Sequence, residues 1–215
     1  MAILFDLDGT LYDTSHDIHI AVNQLLAENN KDPLSYSTVR GLISAGSKAI
    51  LADALGNPEN HIARLLEICI ENKFANTKLF PGIAELLTEL ENRNIQWGIV
   101  TNRVTAITTP LLQATGLLPQ VTCLVCGDTT DKTKPHPKPL LHAADLLKVD
   151  PKSCVYVGDA ITDIQAGKAA GMRTVAAEFG YGSPQVPIRQ WHADYVAKSA
   201  ADILPNIKPW LKQHA

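Results

Sequence analysis

Four aspartates stand in two closely spaced pairs in this chain of 215 residues: Asp6 and Asp8 in Phe5-Asp6-Leu7-Asp8-Gly9-Thr10, and Asp159 and Asp163 in Gly158-Asp159-Ala160-Ile161-Thr162-Asp163. Between the pairs lie Thr101-Asn102 and Lys134. Two carboxylates about 4 Å apart repel by about 4 kcal/mol at an effective dielectric of about 20, and a divalent cation resolves that conflict. An all-oxygen donor set suits Mg²⁺, which keeps several waters and joins one or two carboxylates to a substrate phosphate. With a hydroxyl at Thr101 and an ammonium at Lys134, the set becomes a trap for a transferring phosphoryl group. Two aspartates two residues apart can divide the labour. One carboxylate attacks and forms an aspartyl-phosphate; the other protonates the leaving oxygen and later activates water. Asp6 is expected as the nucleophile and Asp8 as the general acid/base, with Gly9 permitting a sharp turn behind them.

Such residues need elements that bring them together. The apolar runs AILF (2–5), WGIV (97–100), CLVC (123–126) and CVYV (154–157) each end in a polar residue or glycine, as buried strands do. TVAA (174–177) adds a fifth strand and DYVA (194–197) a weaker sixth. Helical patterns fall between them, for example Ile83, Leu86, Leu87 and Leu90, or Leu140, Leu141, Ala144 and Leu147. Strand alternating with helix predicts an α/β fold, a Rossmann-like parallel sheet covered on both faces. Ligands bind such sheets at the carboxyl ends of the strands, where Asp6, Asp8, Thr101, Asn102 and Asp159 fall.

Residues 14–79 break the alternation. Thr14 with Asp17 resembles a capping box, four helical patterns follow, the last expected from Pro58 through Phe74, and no strand is expected among them. The block is too long for a βα crossover. It predicts a helical domain, 14–79, inserted after the first strand of a core made of 1–13 and 80–215. Taken singly, the aspartate pairs have plainer readings: Asp-x-Asp as turn chemistry, and the second pair as a helix cap with a solvated helical aspartate. The ordered recurrence of reactive residues at predicted strand ends favours chemistry.

With 19 basic and 22 acidic residues the net charge is −3 and the cations are scattered, so neither nucleic acid nor a membrane surface is an expected partner. No run approaches the ~20 apolar residues of a membrane span and the N-terminus lacks signal-peptide features, so a cytoplasmic protein is expected. Cys123 and Cys126 form a lone C-x-x-C within an apolar segment and are expected as reduced, buried thiols.

FDLDGTLYDT, IVTNR, KPHPKP and YVGDAITDIQAGKAAGM resemble, in order, the four motifs of the haloacid dehalogenase superfamily of aspartyl phosphatases. The resemblance spans nearly the whole chain. It implies Asp6 as nucleophile and Mg²⁺ ligand, and Asp8 as acid/base with its backbone carbonyl on the metal. Thr101 and Asn102 match the phosphate-binding pair, and Lys134 the lysine that stabilises nucleophile and phosphate. Asp159 matches a metal ligand, and Asp163 a supporting or alternate one. Lys138 competes with Lys134 but occupies the variable position of K-P-x-P-x-P. A carboxylate at Asp8 points to phosphate chemistry, because displacing halide requires no protonated leaving group.

Within the superfamily the chain is similar to phosphoglycolate phosphatases and to the related N-acetylmuramic acid 6-phosphate phosphatases. The resemblance implies hydrolysis of a small phosphorylated metabolite by a monomer or homodimer, 2-phosphoglycolate being the first substrate expected and N-acetylmuramic acid 6-phosphate or another sugar phosphate the alternative. A phosphomutase ranks lower, and so does a receiver-like phospho-accepting protein, whose acceptor aspartate lies on a later strand. Arg40, Gly46, Ser47 and Lys48 occupy the place of the substrate-specificity segment.

Overall fold

The computed structural model describes residues 1–183 and 186–211. Its strands are β1 (Ala2–Phe5), β2 (Tyr12–Asp13), β3 (Lys78–Leu79), β4 (Gln96–Val100), β5 (Leu124–Val125), β6 (Cys154–Gly158), β7 (Arg173–Ala177) and β8 (Tyr195–Ala197). The helices are α1 (Ser15–Glu28), α2 (Tyr36–Leu42), α3 (Ser47–Leu55), α4 (Ile62–Glu71), α5 (Ile83–Asn92), α6 (Thr105–Ala114), α7 (Lys138–Leu146), α8 (Ile161–Ala169) and α9 (Ile203–Leu211).

Six strands form one parallel sheet in the order β5-β4-β1-β6-β7-β8, the expected Rossmann-like α/β architecture. The run DYVA, the weakest of the six in sequence, supplies the edge strand β8. All four residues of β1 are buried, because helices cover both faces of a parallel sheet. Successive side chains point to opposite faces. Ala2 and Leu4 join Leu140, Ala143 and Ala144 of α7 and Ala166 of α8. Ile3 and Phe5 join the apolar faces of α5, α6 and α9.

The chain runs outward from β1 to β4 and β5, then returns to β6 on the other side of β1 and continues to β7 and β8. This reversal opens a crevice at the carboxyl ends of the strands. Phe5 lies level with Ile99 of β4 and Val157 of β6, so Asp6, Thr101 and Asp159 emerge beside one another.

Helices α1 to α4 lie between β2 and β3. Ala21, Val22, Leu25 and Leu26 of α1 meet Leu65, Ile68 and Cys69 of α4 in one apolar cluster, which runs on into the core beneath β1. Three local expectations are corrected. Lys78–Leu79 is a strand inside the block expected to hold none; it pairs antiparallel with β2 (Tyr12↔Leu79, Asp13↔Lys78) and is too short to show alternation. The helix expected from Pro58 through Phe74 is a 3-10 turn at Pro58–Asn60 followed by α4, and the chain has left helical geometry at Lys73 and Phe74, where φ is 55° and 52°. Thr14 and Asp17 form no capping box. The Asp17 carboxylate instead accepts from Asn76 and Thr77, and the Thr14 hydroxyl donates to Asp8.

All four cysteines are buried and free, Cys123 and Cys126 included. None of the described helices is long and apolar enough to cross a membrane.

Candidate active site

Asp6 is the first residue beyond β1, and its N–H still donates to Val157 O (2.9 Å), which fixes the side chain over the crevice. Its Oδ1 accepts from Lys134 Nζ at 2.6 Å. The same ammonium lies within hydrogen-bond distance of Asp163 Oδ1 (2.7 Å), Tyr156 OH (2.8 Å) and Val100 O (3.1 Å), the last also accepting from Tyr156 OH. Burial works against this ammonium, but Asp163 and Asp6 outweigh it and hold its pKa above the ordinary lysine value. Lys138, the competing lysine, is exposed and pairs with Asp131.

Asp159 follows β6 and is 1% exposed. Its Oδ1 accepts from the Thr10 hydroxyl (3.2 Å) and its Oδ2 from Tyr181 N–H (2.8 Å). Gly9 turns the chain at φ +84°, and a Cβ there would overlap the Asp159 carboxylate, so both conformation and space demand glycine. Asp163 lies in the first turn of α8 and is also 1% exposed, which excludes a solvated helical aspartate. Its Oδ2 accepts from Ala160 N–H (3.0 Å).

Carboxylate oxygens of Asp6, Asp159 and Asp163 lie within 4.8 Å of one another. Two of these three buried carboxyls, Asp6 and Asp163, share the Lys134 ammonium. Burial pushes the Asp6 carboxyl up to about 7 against the pull of Lys134, and the charges of Asp163 and Asp8 add to the rise. Burial, then the charges of Asp6 and Asp163, pushes Asp159 well above the usual carboxylate range. A hard divalent cation fits this oxygen-rich, charge-deficient cluster. Asp163 has both oxygens engaged by Lys134 and Ala160, which suits a supporting part.

The Asp8 carboxylate lies outside that cluster. It accepts from Arg103 Nε (2.8 Å, Oδ2), Arg103 Nη2 (2.7 Å, Oδ1) and Thr14 Oγ1 (2.6 Å, Oδ1). A metal contact from Asp8 would therefore come from its main-chain carbonyl. Thr101 is buried beyond β4, and its hydroxyl oxygen accepts from Arg103 N–H (3.1 Å), leaving the hydroxyl hydrogen to donate. Both ends of the Asn102 amide are taken by the main chain of Lys134: Nδ2 donates to its carbonyl (3.0 Å) and Oδ1 accepts from its N–H (2.9 Å). Asn102 thereby anchors the lysine that reaches Asp6.

The segment 40–48 is brought only partly to this crevice. Arg40 donates to Gly180 O (3.1 Å) and lies over the Tyr181 ring, 5.0 Å from its centroid. Ser44 donates to Gly182 O (2.7 Å). Gly46 turns the chain at φ +88°, and Ser47 opens α3. Lys48 points outward and pairs with Glu59, both about two-thirds exposed at 65%.

Sequence reasoning passed over Arg103, Tyr156 and Tyr181. Arg103 directly follows Thr101-Asn102, a position that could have marked it. Tyr156 reads as one more apolar strand residue because its ring is core; only its hydroxyl reaches the site. Tyr181 follows β7 in Glu178-Phe179-Gly180-Tyr181-Gly182 and has two ends at work: its N–H holds Asp159, while its hydroxyl donates to Asp13 (3.1 Å) and accepts from Thr14 N–H (2.7 Å).

The family model for haloacid dehalogenase-like hydrolases matches residues 3–177. An N-acetylmuramic acid 6-phosphate phosphatase from Pseudomonas putida is 37% identical, covering 91% of this chain and 90% of its own. A phosphoglycolate phosphatase from Xylella fastidiosa is also 37% identical, covering 95% and 93%. A crystal structure of a predicted phosphoglycolate phosphatase from Haemophilus somnus superposes with a TM-score of 0.85 at 27% identity, over 95% of this chain and 96% of that one. With Asp6, Thr101, Lys134 and Asp159 gathered at the strand ends and the family match running from β1 through β7, the chain belongs to the haloacid dehalogenase-like hydrolases.

Proposed function

We propose that this protein is a Mg²⁺-dependent phosphatase of small phosphomonoesters that works through an aspartyl-phosphate on Asp6. One observation carries the reading: a carboxylate at a strand end, gripped on one oxygen by a buried lysine, has a second carboxyl two residues along the chain and two more acids beneath it. Among the described residues only Oδ1 of Asp6 carries a protein hydrogen bond, which leaves Oδ2 to attack phosphorus. The Thr101 hydroxyl and the Lys134 ammonium hold the phosphoryl oxygens. As the Asp6–phosphorus bond forms and the ester bond breaks, Asp8 gives a proton to the leaving oxygen. In the second half Asp8 takes a proton from water, whose oxygen displaces Asp6 and releases inorganic phosphate. Held by Asp6, Asp159 and the main-chain carbonyl of Asp8, with Asp163 in support, Mg²⁺ would supply positive charge to the phosphoryl oxygens and offset repulsion among the carboxyls.

Residues 14–79 act as a cap that covers the crevice and reads the leaving group, joined to the core through Arg40–Gly180 and Ser44–Gly182. 2-Phosphoglycolate is the first substrate, supported by relatives of that name at 37% identity over 95% of the chain. N-acetylmuramic acid 6-phosphate is the second reading, and a specific observation favours it. The two cations of the specificity segment, Arg40 and Lys48, are already engaged by Gly180 with Tyr181 and by Glu59, so neither is free to meet a carboxylate lying close to the phosphate. The carboxylate of the sugar phosphate sits far from its phosphate and needs no such neighbour.

Phosphate release from 2-phosphoglycolate, N-acetylmuramic acid 6-phosphate, hexose phosphates and nucleotides tests the reading, with Asp6→Asn as control. Multiple turnover lost in Asp6→Asn supports it. Isomerised phosphosugar without phosphate release would make the protein a mutase, and a single phosphorylation without turnover a receiver-like acceptor.

A further inference from the structure

Arg103 presents its guanidinium edge to both oxygens of Asp8, with Nε on Oδ2 at 2.8 Å and Nη2 on Oδ1 at 2.7 Å. The pair is largely enclosed, the side chains being 12% and 18% exposed. Arg103 is itself held at the main chain: its N–H donates to the Thr101 hydroxyl (3.1 Å) and its carbonyl accepts from Gly127 N–H (2.9 Å). Gly127 admits no side chain, because a Cβ there would overlap the carbonyl of Asn102. One tight turn beyond β4 therefore carries the phosphate-facing hydroxyl of Thr101 and, two residues on, the fork that grips Asp8.

We infer that Arg103 is a positioning residue for the proposed reaction, setting the plane and direction of the Asp8 carboxyl relative to the phosphoryl group bound at Thr101. This rests on the phosphatase reading above. Asp8 transfers a proton twice. It gives one to the bridging oxygen as that oxygen leaves phosphorus and the Asp6–phosphorus bond forms, and it recovers one from the water whose oxygen then displaces Asp6. Both transfers need the carboxyl on one line, and a two-point fork fixes its plane as a single point charge cannot. Without the fork, Thr14 alone among the described residues contacts a carboxyl oxygen, and the group can turn about its χ angles.

Leaving-group dependence separates this role from a structural or phosphate-binding one. 4-Nitrophenolate departs without a proton, whereas an alkoxide requires one. The test compares kcat/KM for 4-nitrophenyl phosphate with that for 2-phosphoglycolate or N-acetylmuramic acid 6-phosphate, whichever the wild type turns over faster. Variants are Arg103→Met, Arg103→Lys, Asp8→Asn and the Arg103→Met/Asp8→Asn pair. Arg103→Met is expected to lower kcat/KM about 100-fold on the alkyl ester and about tenfold or less on the aryl ester. The loss should fall on kcat rather than KM. Arg103→Lys should recover part of it, and Arg103→Met should cost nothing further once Asp8 is asparagine.

Equal losses on both esters, or losses that multiply in the double variant, would overturn the inference and make Arg103 a phosphate ligand or a packing residue. If circular dichroism shows Arg103→Met unfolded, Arg103→Lys carries the same comparison through its ratio of alkyl to aryl activity, where an unchanged ratio would again overturn it. Absence of phosphate release from every ester by the wild type would instead remove the phosphatase reading, and with it this role.

Discussion

Replacing Lys134 by methionine keeps the aliphatic stem and removes the ammonium that Asp6, Asp163, Tyr156 and Val100 share. The side chain is 3% exposed, so water cannot take the place of the lost charge without opening the structure. Removing one partner of a buried ion pair typically costs about 3–5 kcal/mol. In a chain of this length each kcal/mol shifts the melting temperature by about 2–4 °C, giving a fall of roughly 10 °C. The cost depends on pH in a defined direction. The Asp6 carboxyl is pushed up to about 7 by burial even with Lys134 present, so towards pH 5 it takes up a proton and needs the ammonium less. Thermal unfolding followed by circular dichroism in a chelator should show the full deficit at pH 8 and a smaller one at pH 5. Divalent cation should restore more stability to Lys134→Met than it adds to the wild type. A variant that melts within about 2 °C of wild type at pH 8 in chelator would refute the view that this ammonium balances buried charge.

Asp6→Asn should reduce phosphate release from 4-nitrophenyl phosphate by at least about 10⁴-fold while the fold persists, read by a colorimetric assay beside a melting curve. The metal-free wild type should lose stability as pH rises. The Asp6 carboxyl stands at about 7 against an ordinary 3.8, so its contribution is complete below the unfolded value and disappears as pH climbs through the folded one. A melting temperature in chelator that climbs from pH 5 to pH 8 would contradict this. Gly180→Ala would drive a Cβ into the carbonyl of Gly9 and the side chain of Asp159. It should destabilise the protein by about 1–3 kcal/mol and raise the Mg²⁺ concentration needed for half-maximal activity. Lys48→Ala removes an exposed pair with Glu59 and should change unfolding free energy by less than about 0.5 kcal/mol in urea titrations.

The central strands β1, β4 and β6 were legible because they are almost wholly buried and read as unbroken apolar runs, stopped by residues that turn into the crevice. The residues proposed to react were placed by the same signal: Asp6, Thr101 and Asp159 sit where those runs stop. What escaped were side chains whose task is set by a distant partner. Arg103 and Asp8 are 95 residues apart, Tyr181 and Thr14 are 167 apart, and neither spacing leaves a local pattern. Thr14 and Asp17 misled because the cap-like spacing is real but tertiary partners claim both side chains, Asp8 for one and Asn76 with Thr77 for the other. Asn102 shows the converse. Its place beside Thr101 marked it for the phosphate, but nothing local announced that its amide also holds the loop that delivers Lys134.

The two-residue ribbon of β2 and β3 sets how this chain can change over time. Asp13 and Lys78 face each other across it, so the helical segment departs and returns at one spot, and the strands below experience its two ends as a short hairpin. Doubling the length of a segment closed in this way costs only about 0.6 kcal/mol in chain entropy. Mutation and selection can therefore lengthen, shorten or rewrite the stretch from Ser15 to Glu71 while the catalytic strand ends keep their register. New substrates become reachable without relearning how to break the ester bond. The exceptions are the contacts that cross between segment and core, Thr14 and Arg40 with Tyr181, Arg40 with Gly180 and Ser44 with Gly182, along which the two histories must stay in step.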